Sequence, residues 1–137
     1  MTRHSTKALS QDESLGTVCW HDGCWTAIVA TALGGIEVSI FSDSAAIPDW
    51  ARNLVVQGCR NIGDFVSKAN DYLTRDLSAK ELAMGPYTFS PTGISTGAAW
   101  QQSQNSFTLY LELDGDPDGL WRVEFGPTGP IDSGRDS

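Results

Sequence analysis

Residues 16–41 read GTVCWHDGCWTAIVATALGGIEVSIF, and this stretch decides the fold. Asp22-Gly23 and Gly34-Gly35 are two-residue hairpin signals, because the tight turns that match strand twist need positive φ at their central residues. With both pairs as loops, Trp20 faces Trp25, His21 faces Cys24, Leu33 faces Ile36 and Val29 faces Ile40. Side chains alternate along a strand. Val18, Trp20, Trp25, Ala27, Val29, Thr31, Leu33, Ile36, Val38 and Ile40 therefore share one side. The predicted unit is a three-stranded meander with a single apolar face.

Beyond the meander, Ser42 to Ala46 form a polar connection. Pro48 suits the first turn of a helix, Trp50, Leu54 and Val55 give it an apolar side through to Gln57, and Gly58 fits its stop. Ile62, Phe65, Val66, Ala69, Tyr72, Leu73 and Leu77 recur at helical spacing, with Asn61 as N-cap. Ser78 and Glu81 match a capping box for a further short helix that Gly85-Pro86 closes. Strand patterns then return. Gly93 to Gln101 predicts one strand, Phe107 to Leu113 alternates cleanly, and Trp121, Val123 and Phe125 alternate with Arg122 and Glu124. Asp114 to Gly119 reads as the loop between the last two, and Gly126-Pro127 and Gly129-Pro130 as the end of regular structure. The expected fold is α+β: a mainly antiparallel sheet in the order β-β-β-α-α-β-β-β, with helices packed on one face. A single domain over residues 15–130 is expected between flexible tails at 1–14 and 131–137.

A chain of 137 residues with 40% hydrophobic content and five Trp can bury a core without staples. No apolar run approaches the roughly 20 residues that span a bilayer. The polar start, Met1 to Ser14, lacks a signal-peptide pattern, so a cytoplasmic protein without membrane contact is expected. The formal charge of −8 disfavours nucleic acid and suits a basic protein partner. The charge is uneven: residues 61–137 carry eleven of the 17 acids and five of the nine bases.

Two clusters invite a chemical reading. Cys19, His21 and Cys24 share one face, but their spacing supplies three zinc ligands where a structural site needs four, and no oxyanion loop accompanies them. An orphan enzyme or metal-binding domain using this cluster is the alternative reading. Cys19 and Cys24 lie diagonally across the hairpin, an awkward separation for a disulfide, and reduced thiols are expected for all three cysteines. Asp114-Gly115-Asp116-Pro117-Asp118-Gly119 opens like a calcium loop, but its twelfth position is Phe125 rather than an acid. No catalytic residue, cofactor or metal is therefore assigned. Glu112, Asp114, Asp116 and Asp118 form the candidate partner-binding surface.

Three segments, GTVCWHDGCWTAIV (16–29), IGDFVSKANDYL (62–73) and FTLYLEL…GLWRVEFGPTGP (107–113 and 119–130), carry a resemblance. In them the chain resembles small bacterial α+β domains of unknown function, some of which are immunity proteins of polymorphic toxin systems. The resemblance implies an acidic, non-enzymatic protein that neutralises a basic toxin domain by binding it. It transfers no functional residue.

Overall fold

The computed structural model describes residues 8–75 and 88–136. They form an α+β domain built on one eight-stranded sheet whose spatial order follows the chain, β1 to β8. The strands are β1 (Ala8–Asp12), β2 (Gly16–His21), β3 (Cys24–Thr31), β4 (Gly34–Phe41), β5 (Phe89–Thr96), β6 (Phe107–Leu113), β7 (Asp116–Gly126) and β8 (Gly129–Asp136). Every neighbouring pair is antiparallel except β4 and β5, which run parallel. A parallel pair needs a long crossover. Helices α1 (Asp49–Arg60) and α2 (Ile62–Leu73) lie within it. A third helix, α3 (Ala99–Gln104), interrupts the path from β5 to β6.

The first hairpin forms as its sequence requires. Asp22 (φ 48°) and Gly23 (φ 78°) both adopt positive φ. Trp20 stands opposite Trp25 with ring centroids 5.3 Å apart, and His21 stands opposite Cys24. The second hairpin turns two residues earlier than Gly34-Gly35 predicts. Thr31 pairs with Gly34, and Val29 meets Ile36 rather than Ile40. The Thr31 hydroxyl donates to Gly34 O (2.6 Å) and accepts from Leu33 N–H (3.1 Å), so it closes the turn around Ala32-Leu33. The partner shift is an even number of residues, so the apolar face survives; only Leu33 is carried out to the tip, half exposed.

Other boundaries also move. Gly58 does not stop α1; the helix runs through it to Arg60, and a β-carbon there would lie 2.9 Å from Ile94 Cδ1. Close helix–sheet approach therefore selects the glycine. Asn61 makes no side-chain cap for α2. Its Nδ2 instead donates backwards to Gln57 O (3.1 Å), at the end of α1. β5 begins at Phe89 and ends at Thr96, so residues 99–101, expected in a strand, are helical. Residues 8–12 and 131–136, expected within flexible tails, belong to the edge strands β1 (Ala8–Asp12) and β8 (Gly129–Asp136). The predicted short helix from Ser78 lies outside the described residues.

The core gathers the alternate residues of the central strands. Ile36, Val38, Ile40, Ile94, Leu109, Leu111, Val123 and Phe125 are all essentially inaccessible. Burying side chains of this size contributes roughly 1.5–3 kcal/mol each. The long helices meet the same residues. Phe65 of α2 sets its ring edge-on against Phe107 and Phe125, each 5.1 Å away, and Val55 and Leu73 are fully buried. Arg52 of α1 ties the helix to the first turn by an ion pair to Asp12 (2.9 Å).

Candidate functional site: the polar face of the sheet

The other face of the sheet follows from the pairing register. Directly paired residues share a face, so Leu9, Cys19, Thr26, Ser39, Ser95, Thr108, Glu124 and Asp132 form one row across all eight strands. A second row holds Ile28, Glu37, Gly93, Tyr110, Arg122 and Gly134. The face is therefore polar toward β8, with apolar side chains at intervals.

At the β5–β8 end this face is organised around Glu124, which is only 9% exposed. Its Oε2 accepts hydrogen bonds from Gln101 Nε2 (3.1 Å) and Ser106 Oγ (3.2 Å), and its Oε1 accepts one from the Thr108 hydroxyl. Gln101 is delivered by α3, whose first turn it also stabilises: its Oε1 accepts from Ala98 N–H at 3.1 Å. Asn105 adopts the left-handed conformation (φ 50°) that ends a helix, and this brings Ser106 back under the carboxylate. Ser95 Oγ donates to the Tyr110 hydroxyl (3.2 Å). Arg122 points to Asp136 (2.6 Å). Above these groups opens a cavity of about 790 Å³, lined among others by Trp100, Tyr110, Arg122, Glu124, Ile131 and Asp132.

The four acids proposed from the sequence divide. Glu112, Asp114 and Asp118 are exposed at one end of the β6–β7 hairpin. Asp116 is buried, and its carboxylate receives Arg135 Nε (2.7 Å), Arg135 Nη2 (2.8 Å) and Trp121 Nε1 (2.9 Å). The Arg135 hydrogen bonds, helped by Trp121 and opposed by burial, hold its pKa below the ordinary 3.8. The loop expected over Asp114 to Gly119 is instead a two-residue turn, Asp114-Gly115, followed by a bulged start of β7 between Asp116 and Trp121, and Asp116 is held by internal structure.

Cys19, His21 and Cys24 stand on the polar face of the first hairpin, with His21 Nε2 3.3 Å from Asp22 Oδ2. All three cysteines of the chain are free thiols. The Cys24 thiol lies 3.6 Å from Trp25 O, and burial raises its pKa, the reverse of an activated thiolate. Burial likewise raises Cys59. Among the described residues no three His, Cys, Asp or Glu side chains are grouped to hold a metal.

Sequence reading missed Glu124, Gln101, Ser106 and Trp100. The available signal was the outward alternation of Arg122 and Glu124 on β7, but Thr108 meets Glu124 only because the register shifts between Leu113↔Asp116 and Leu111↔Trp121; the Asp114-Gly115 turn alone would set Thr108 against Trp121. Among the described residues no helix is long and apolar enough to cross a membrane. In comparisons with known proteins, the chain matches no family model, no curated protein and no solved structure.

Proposed function

We propose that this chain is a non-enzymatic protein-binding module of the immunity type, which neutralises a basic toxin domain by direct contact. In this reading α1 and α2 close one face of the sheet, and the polar face is the contact surface. The carrying observation is how the exposed apolar side chains are sorted. Among the described residues six large ones are exposed, and five belong to this face: Leu9, Ile28, Phe41, Trp100 and Ile131, between 46% and 72% exposed. The sixth, Leu33, is at a hairpin tip. The five are spaced across the face rather than joined in one patch, and it is their one-sided distribution that supports a contact surface here. Glu37, Glu112 and Asp132 are exposed on the same face, giving the polar, acidic rim that suits a basic partner. Three free thiols suit the reducing cytoplasm to which this reading assigns the protein.

The test is capture of a partner from the protein's own source, followed by association kinetics across salt. Neutralising Glu112, Asp114 and Asp118 together slows association severalfold at low salt and little at high salt, because the steering field is screened. Ile28→Ser, at an exposed position, speeds dissociation without unfolding the chain. Recovery of only acidic partners, or kinetics indifferent to both variants, overturns the proposal.

A further inference from the structure

We infer that the cavity beside Glu124 is an anchor pocket for the guanidinium group of an arginine side chain on the basic partner. This rests on the protein-binding reading above and names the contact that would orient the complex.

The first ground is the carboxylate itself. Glu124 is held by three neutral donors, and among the described residues no Lys, Arg or His nitrogen lies within 4.0 Å of it. Buried acids are ordinarily paired with a cation. A carboxylate offers about four acceptor positions. Among the described residues three are filled, two on Oε2 and one on Oε1.

A second, independent ground lies across the strand. Asp132 stands directly opposite Glu124 in the β7–β8 register. Like charges at paired positions repel and weaken a sheet. A cation lodged between them removes that penalty, whereas an anionic ligand would add to it. The nearby Arg122 does not fill the role, because Asp136 holds its guanidinium at 2.6 Å.

The walls select among cations. Trp100, 53% exposed on α3, and Tyr110 line the cavity, and Ile131 adds an apolar flank. A guanidinium is planar and weakly hydrated. It can stack on an indole while donating to a carboxylate, and its aliphatic stem can lie along an apolar wall. An ammonium group has no flat face to stack. A volume of about 790 Å³ exceeds one side chain, so the pocket admits the arginine together with the backbone that carries it.

The probe is Nα-acetyl-L-arginine amide, titrated into the full chain while the indole N–H signal of Trp100 is followed by NMR. A saturable shift in the millimolar range is expected, weakened about tenfold in Glu124→Gln, as loss of one charge-assisted hydrogen bond implies. Asp132→Asn, at an exposed position where folding is not at risk, weakens it by a smaller factor. Nα-acetyl-L-norleucine amide, of similar length without the charge, gives no saturable shift. An absent shift, an equal response to norleucine, or indifference to both variants overturns the pocket. The two readings fail separately. If the arginine shift is absent while Ile28→Ser still releases a captured partner faster, the pocket alone falls. If the shift behaves as expected while no partner responds to the sheet-face variants, the protein-binding reading falls and the cation pocket stands.

Discussion

Strand β7 carries two buried carboxylates, one near each end, and they are treated in opposite ways. Asp116 has a cation: Arg135 clasps it with two nitrogens, and Trp121 Nε1 donates as well. Among the described residues Glu124 has only neutral donors, from α3, Ser106 and Thr108, and it looks onto a cavity. A buried acid with its countercharge in place is complete, and removing it damages the fold. A buried acid whose charge is left uncompensated is poised for something outside the chain. Local sequence does not distinguish them, since each follows from what a neighbouring strand or helix delivers.

The largest expected effect is therefore at Asp116. Asp116→Ala leaves the inaccessible Trp121 indole N–H without its acceptor and frees Arg135 from its partner. An unsatisfied buried donor alone costs about 1–3 kcal/mol. Arg135 is partly exposed and recovers water, so it adds little. Urea titration of the variant should show a loss in that range, and a midpoint equal to the parent's would break the contrast. Gly119→Ala should lose somewhat less, about 1–2 kcal/mol, by overpacking. Its β-carbon would sit 2.2 Å from Asp116 Oδ2 and 2.6 Å from Arg135 Nε, so the ion pair must shift.

The same ion pair sets a pH dependence. Asp116 has a folded pKa below 3.8, and so does Asp12, where burial is outweighed by hydrogen bonds from Ser14 N–H, Arg52 and Leu15 N–H. A lowered folded pKa means the unfolded chain binds protons first as the solution is acidified. Stability from these groups is thus complete well above 3.8 and is lost as pH falls through that value toward the lower folded pKa values. Urea midpoints measured from pH 7 to pH 3 should fall at the acid end, with a shallower fall in Asp116→Asn. An unchanged slope in that variant would assign the acid sensitivity elsewhere.

What was legible from sequence divides along the same line. The meander and the two long strands β6 and β7 were readable because period-two alternation is local, and one apolar face survives even a turn shifted by two residues. The paired carboxylates were not. Asp116 reads as a turn residue until β8 arrives beside it, and β8 (GPIDSGRD) has no apolar alternation because it is an edge strand, where Pro130 and polar side chains are tolerated. Gly58 reads as a helix stop unless Ile94 is known to press against it. Glu124 reads as the exposed partner of Phe125 until the nominal strand from Gly93 to Gln101 breaks and α3 folds Gln101 over it. Non-local partners decided each case.

The smallest stability effect, and the sharpest contrast with Asp116, is expected for Glu124→Gln. The amide keeps the volume and one acceptor oxygen for Gln101 Nε2. At the Oε2 position that oxygen keeps the Ser106 hydroxyl as donor as well, and the new N–H₂, at the Oε1 position, faces the Thr108 hydroxyl, whose proton rotates so that its oxygen accepts instead of donates. The network is thereby satisfied with reversed polarity at one site, and the loss should stay under about 1 kcal/mol, the scale of one neutral hydrogen bond. Asp132 also loses the like charge opposite it, which offsets part of that loss. The same substitution should remove most of the response to the arginine probe, so stability and binding separate at Glu124 where at Asp116 they cannot. A Glu124→Gln loss as large as that of Asp116→Ala would mean the two acids are equivalent pieces of structure and that the cavity holds no poised charge.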